Sequence, residues 1–212
     1  MLKNNFDCVV VANGEFPSAT LPLSYLDNAP YIIACDGALQ KLKSQGFSAD
    51  AIVGDLDSLS SENRELYGDL IFHDPDQETN DLTKAMKFAR SKGFRQIMIL
   101  GATGLREDHM LGNISLLLTY NEWFEKVVMM SDYGYFRPIN RSTEFECFER
   151  QQISIFALYP HGNLSSEGLR YPIRERNLPF WWEGTLNETT GTRFSLHLSG
   201  EGNVLVYFKS ER

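Results

Sequence analysis

The chain has 212 residues, 42% hydrophobic and 23% charged, with a net charge of −8 and a pI of about 5.0. That length buries a core without disulfide or metal staples, and the acidic balance argues against nucleic acid as a partner. No apolar run reaches the roughly 18 residues of a membrane span, and Met1 to Asp7 offers no apolar signal core, so a cytoplasmic, membrane-free protein is expected.

The first half alternates short apolar runs with amphipathic stretches. Cys8–Ala12 reads as a strand ending at Asn13-Gly14, Tyr31–Ala34 as one ending at Asp36-Gly37, and Ala51–Val53 as one ending at Gly54-Asp55. Leu70–Phe72, Ile97–Leu100 and Val127–Met130 continue the series. Continuous apolar runs suit a parallel sheet covered on both faces. From Asn80 the apolar positions Leu82, Ala85, Met86 and Ala89 follow helical spacing, with Asn80 or Thr79 as N-cap. From Asp108 the same holds for Met110, Leu111, Ile114, Leu117 and Leu118. Strand–helix alternation predicts a doubly wound, mostly parallel α/β domain.

After about residue 135 the chain turns rich in Phe, Tyr, Thr and Gly. Ile153–Leu158, Arg193–Leu198 and Asn203–Phe208 read as strands, and Gly200-Glu201-Gly202-Asn203 as a hairpin turn joining the last two. A small antiparallel β-sandwich is expected over 136–212, behind an α/β domain over 1–135, the boundary falling within 131–145. Trp181 and Trp182 are expected to pack in the sandwich core or at an interface.

Chemistry-bearing residues are unevenly placed. The three cysteines, Cys8, Cys35 and Cys147, fit buried free thiols in a reducing compartment. His73, His109, His161 and His197 show no zinc-ligand spacing. All twelve aspartates lie at or before Asp132. Asp36, Asp55, Asp57, Asp74 and Asp76 follow strand ends, Asp81 opens a helix, and Asp108 comes shortly after the fifth strand. Ligands of open α/β sheets bind beyond the carboxyl ends of the strands. In extended chain Asp55 and Asp57 point to one side, and converging carboxylates need a cation, for which Mg²⁺ bridged to phosphates is the natural choice. Gly101-Ala102-Thr103-Gly104-Leu105-Arg106 feeds a helix N-terminus and has the form of an anion cradle, without a Walker A or dinucleotide fingerprint.

Asp36-Gly37-Ala38, Gly54-Asp55-Leu56-Asp57-Ser58, Asp76 to Asp81 with Lys84-Ala85, and Gly101 to His109 occur in the order and spacing of thiamine pyrophosphokinases. Gly168-Leu169-Arg170-Tyr171 and Gly184-Thr185-Leu186-Asn187-Glu188 resemble that family's C-terminal, thiamine-binding domain. The resemblance covers nearly the whole chain. It implies transfer of pyrophosphate from ATP to thiamine, giving thiamine diphosphate and AMP, with Mg²⁺, by a homodimer whose site is shared between chains.

On that resemblance Asp55, Asp57 and Asp81 correspond to metal-binding acids, with Asp36 close by. Gln77, Asp108 and Tyr171 correspond to positions facing thiamine. Asp36, Gly37, Gly101, Thr103, Gly104, Arg106 and His109 match the nucleotide-phosphate region. Asp81 or Asp108 is expected to accept the hydroxyl proton. The chain departs from the family pattern at Ala38, at Leu105 where glycine often precedes the arginine, at Asn80 in place of threonine, and at Leu186 in place of a small polar residue. Two rivals are another metal-dependent nucleotide-using transferase with a DxD site and a non-catalytic thiamine sensor.

Overall fold

The computed structural model describes residues 2, 5–57, 59–159, 162–200 and 202–211, with only the backbone of Leu158 and Tyr159. Ser58, His161 and Glu201, named above in two motifs and the histidine set, lie outside the described residues. The chain divides into two compact units, one over 4–132 and one over 133–212 together with the first three residues.

The first unit runs β1 (Cys8–Val11), α1 (Thr20–Asp27), β2 (Ile32–Cys35), α2 (Leu39–Ser44), β3 (Ala51–Gly54), α3 (Ser61–Leu66), β4 (Ile71–His73), α4 (Asp81–Ser91), β5 (Gln96–Leu100), α5 (Glu107–Trp123) and β6 (Lys126–Ser131). Its strands pair in the order β6-β5-β1-β2-β3-β4, all parallel. Every residue of β1, β2 and β3 is buried, as the unbroken apolar runs require of a sheet covered on both faces. The expected mostly parallel α/β domain is what this stretch forms.

Helix α4 starts where a capping residue allows. The Asn80 side chain accepts the Thr83 N–H at 2.9 Å, so Asn80, not Thr79, is the N-cap. Leu82, Ala85, Met86 and Ala89 face the sheet. A buried hydroxyl pair, Thr83 Oγ1 to Tyr120 Oη at 2.8 Å, ties α4 to α5. Helix α5 buries only its second half, through Leu117, Leu118 and Tyr120, while Leu111 is exposed. Seventeen helical residues span about 25 Å and the five of β5 about 17 Å, so the sheet cannot cover the first turns of α5.

The second unit contains β7 (Gly134–Ile139), β8 (Thr143–Glu146), β9 (Gln152–Tyr159), β10 (Leu164–Glu167), β11 (Asn187–Glu188), β12 (Arg193–Leu198) and β13 (Asn203–Lys209). Four strands pair antiparallel in the order β11-β9-β13-β7, and three in the order β10-β12-β8. Aromatic rings join the two layers: Phe145 of β8 and Phe194 of β12 stack at 4.8 Å, and Phe208 of β13 lies 5.4 and 5.8 Å from them. The expected antiparallel sandwich is present, but the expected hairpin is not. β12 and β13 belong to different sheets, so the two strands do not form a hairpin. Both strands turn aromatic and aliphatic residues inward, and facing each other across the core buries more apolar surface than pairing edge to edge. Among the described residues no helix is long and apolar enough to cross a membrane.

Candidate active site

At the carboxyl end of the parallel sheet, β2 delivers Asp36 and β3 delivers Asp55, while Asp81 opens α4. Asp36 is buried, and its Oδ1 accepts the Gly37 N–H at 2.5 Å while its Oδ2 is buried without a hydrogen-bond partner. Burial, and then the neighbouring Asp81, push the Asp36 carboxyl above the usual range, against the N–H groups of Gly37 and Leu56. Gly54 makes this approach possible: a Cβ there would stand 2.8 Å from Asp36 Cγ.

The carboxylates of Asp55 and Asp81 meet on a residue the sequence reading quoted but gave no role. Lys84 Nζ lies 3.4 Å from Asp55 Oδ2 and 3.4 Å from Asp81 Oδ1, and the Lys84 side chain is only 2% exposed. Asp55 Oδ1 also accepts the Asp57 N–H at 3.2 Å. That N–H bond and the Lys84 ammonium hold the Asp55 carboxyl below its usual range, with a contribution from the Gln77 side chain. The two pairs raise Lys84 above the usual lysine value in spite of its burial.

The extended-chain picture of Asp55 and Asp57 does not describe this loop. β3 ends at Gly54, and Leu56 takes a left-handed φ of 71°, which turns the exposed Asp57 away from strand alternation. Among the described residues no group of three or more His, Cys, Asp or Glu side chains is disposed to hold a metal ion. The expected Asp55, Asp57 and Asp81 set is therefore not gathered as a closed cage, because an ammonium stands between two of its members.

The glycine loop after β5 is built against the end of β1. The Gly14 N–H donates to Gly101 O at 2.6 Å and the Glu15 N–H to Thr103 O at 2.9 Å. Gly101 has φ 65° and a Cβ there would stand 2.6 Å from Ala12 O, so only glycine fits. Gly104 and Leu105 are also left-handed, at 73° and 57°, and Leu105 is 67% exposed. The family departure at Leu105 thus falls on a conformation that glycine adopts without cost. Lys41, missed from sequence, donates to Asn13 O at 2.8 Å and Gly14 O at 2.7 Å, locking the same loop beside Gly37.

A short relay joins this loop to the aspartates. Asn80 Nδ2 donates to Asn113 Oδ1 at 3.1 Å, and Asn113 Nδ2 to Ala102 O at 2.9 Å. A threonine at position 80 has no amide to make the first bond, so that departure has a structural consequence. Arg106 does not point at an open cradle. It grips Asp108 at 2.6 and 3.1 Å, both side chains mostly exposed, and this holds the Asp108 carboxyl below its usual range. Gln77 and His109 are exposed.

In the second unit the two C-terminal motifs lie side by side. The Arg170 N–H donates to Glu188 O at 2.8 Å. The buried Asn187 amide accepts the Tyr171 N–H at 3.1 Å and donates to Tyr171 O at 2.7 Å. The Tyr171 side chain is 61% exposed, with the Arg170 guanidinium 5.7 Å from the ring centre. Leu186 is left-handed at φ 57° and exposed. Trp181 and Trp182 are 49% and 71% exposed, so neither is a core residue; Trp181 meets the ring of Phe156 edge-on.

Two family models match the chain: thiamin pyrophosphokinase, catalytic domain, over residues 23–129, and thiamin pyrophosphokinase, substrate-binding domain, over residues 134–207. Thiamine pyrophosphokinase 1 of Oryza sativa subsp. japonica is 33% identical over 96 residues, 41% of this chain and 36% of that protein. Thiamine pyrophosphokinase 2 of Arabidopsis thaliana is 26% identical over 176 residues, 76% of this chain and 61% of that protein. The matched stretch thus spans less than two thirds of either relative. Among solved structures, the thiamine pyrophosphokinase of Bacillus subtilis superposes with a TM-score of 0.80 at 21% identity, covering 97% of this chain and 99% of that one. The thiamin pyrophosphokinase of Candida albicans gives 0.82 at 17% identity, covering 98% and 90%. At these identities the likeness establishes the fold.

Proposed function

The chain belongs to the thiamin pyrophosphokinase family, and from that premise we propose that it transfers pyrophosphate from ATP to the hydroxyl of thiamine, releasing AMP. The observation that carries this reading is the convergence of Asp55 and Asp81, from two different elements, on one buried positive charge at the carboxyl end of the sheet.

The donor chemistry fits Mg²⁺. That ion takes one or two carboxylates and completes its shell with water and phosphate oxygens, so an open carboxylate pair suits it better than a closed cage. Asp55 and Asp81 would hold it, with Asp57 on the adjoining turn and the unpartnered Asp36 Oδ2 behind them. Bound there, it supplies charge neutralisation for the triphosphate.

The remaining work falls to the chain. The thiamine hydroxyl oxygen forms a bond to the β-phosphorus while the bond from that phosphorus to the α–β bridging oxygen breaks, and AMP leaves with that oxygen. Asp81 or Asp108 accepts the hydroxyl proton, Asp108 once Arg106 has released it. The Gly101–Gly104 loop and Arg106 bind nucleotide phosphate, Arg106 exchanging Asp108 for phosphate oxygens. Tyr171 offers an exposed aromatic face to the thiamine cation.

The protein works as a homodimer in the cytoplasm, a setting supported by three free and buried cysteines. Incubation with ATP, thiamine and Mg²⁺ tests the reading: AMP and thiamine diphosphate in equal amounts are expected. ADP as product, or no turnover of thiamine, refutes it.

A further inference from the structure

We propose that Lys84 is a positioning residue that stands in for the divalent cation: its ammonium holds Asp55 and Asp81 converged before substrate arrives, then passes to the triphosphate when the metal takes its place. The inference rests on the function proposed above.

The placement of Lys84 is costly and specific. Lysine is almost never fully buried without a partner, because an ammonium taken out of water loses its hydration. Here the first turns of α4 are buried all round, and Lys84 is buried with Leu82, Thr83, Ala85 and Met86, one turn after Asp81. The i,i+3 spacing brings the ammonium to Asp81, and the loop after β3 brings Asp55 to the other side. Asp36 adds a third carboxyl group that acts electrostatically on this pair. Three carboxyl groups with one ammonium leave a deficit of positive charge that a divalent ion would fill.

The bonds are also of a kind that can be given up. Charge-assisted N–H···O bonds close to about 2.7–2.9 Å when a donor commits to one acceptor. Both bonds of Lys84 are 3.4 Å, longer than that, so neither carboxylate holds the ammonium tightly. A lysine head on a flexible four-carbon stem can swing by several ångström without any movement of α4. A structural lysine serving only to fasten α4 to β3 has no reason to be held equally and loosely by the two acids that would bind the metal.

Calorimetric titration of Mg²⁺ into nucleotide-free protein, wild type against Lys84→Met, tests this. Removing the ammonium that competes with a divalent ion for these two carboxylates is expected to tighten Mg²⁺ binding by roughly tenfold or more, while the apparent KM for MgATP rises. Equal or weaker Mg²⁺ affinity in a folded Lys84→Met protein overturns the inference and leaves Lys84 a fastening residue. Should Lys84→Met not fold, Lys84→Arg gives the answer with opposite sign. The guanidinium grips carboxylates in fork geometry and is expected to weaken Mg²⁺ binding several-fold, and unchanged binding overturns the inference. Wild type assayed in parallel for AMP separates the two levels. AMP formation with unmoved Mg²⁺ affinities sinks the role of Lys84 alone, whereas no AMP and no Mg²⁺ binding sinks the proposed function with it.

Discussion

Replacing Tyr171 by alanine tests the thiamine assignment in the second unit without disturbing its core. The backbone at this position is held by the Asn187 amide in both directions, and neither bond involves the tyrosine side chain. The ring is 61% exposed, so its loss returns little buried area and costs about 1 kcal/mol of stability, or a fall in Tm of about 2–4 °C. What the variant loses is a face for a cation. An aromatic–cation contact that becomes desolvated on binding contributes about 1–2 kcal/mol, so the apparent KM for thiamine should rise roughly five- to thirty-fold. The apparent KM for ATP should stay within twofold of wild type. Tyr171→Phe keeps the face and should keep most of the affinity. Arg170 already lies over the ring, which leaves the opposite face as the one for substrate. Steady-state kinetics with a melting curve on both variants decides the matter: a folded Tyr171→Ala protein with unchanged KM for thiamine refutes the assignment.

Asp57→Asn is expected to leave the melting temperature unchanged, because the side chain is exposed, and to lower kcat at saturating Mg²⁺ by at least about a hundredfold; near wild-type turnover removes Asp57 from the metal site. Asp132 anchors the segment that leads into α1, accepting the Ser18 N–H at 3.0 Å, the Ser18 hydroxyl at 2.6 Å and the Ala19 N–H at 3.0 Å. Burial raises its pKa, yet these three donors outweigh burial and hold it below the usual value. A depressed carboxyl stabilises the fold above its unfolded pKa, about 3.9, and loses that contribution as pH falls through the folded value. Asp132→Ala should therefore lower the melting temperature at pH 7, with the two melting curves converging as pH falls below about 4; a gap that persists at low pH contradicts this. Leu105→Gly should raise stability by about 1 kcal/mol, since a non-glycine residue at φ 57° is relieved at an exposed site, and a lower Tm in the variant counts against it.

Local chemistry made the framework legible. Short apolar runs such as Cys8–Val11 and Ala51–Val53 have no polar position to turn toward water, which leaves a parallel sheet covered on both faces as their home. The 3.6-residue spacing of Leu82, Ala85, Met86 and Ala89 specifies α4 and its face, and narrows its cap to Thr79 or Asn80, within one stretch of chain. Aspartates after strand ends could be read off in the same way, because topology alone sends strand ends to one edge.

What needed the tertiary structure was each relation between residues far apart in the chain. A Gly-x-Gly-Asn turn is a local signal for reversal, but whether the next strand pairs or crosses to the opposite sheet depends on which aromatic faces meet, and Phe194 and Phe208 meet across the core. Helical periodicity in α5 is uniform along Met110 to Leu118, while the length of the neighbouring sheet decides which half is covered. The turn at Leu56 breaks the alternation that Asp55 and Asp57 would keep in a strand. Lys84 and Asp55 are 29 residues apart. Sequence determined that acids gather near the carboxyl edge; only the packing of α4 against the end of β3 decided that one ammonium would be buried between two of those acids, because a lysine's burial is stable only where the fold brings carboxylates to meet it.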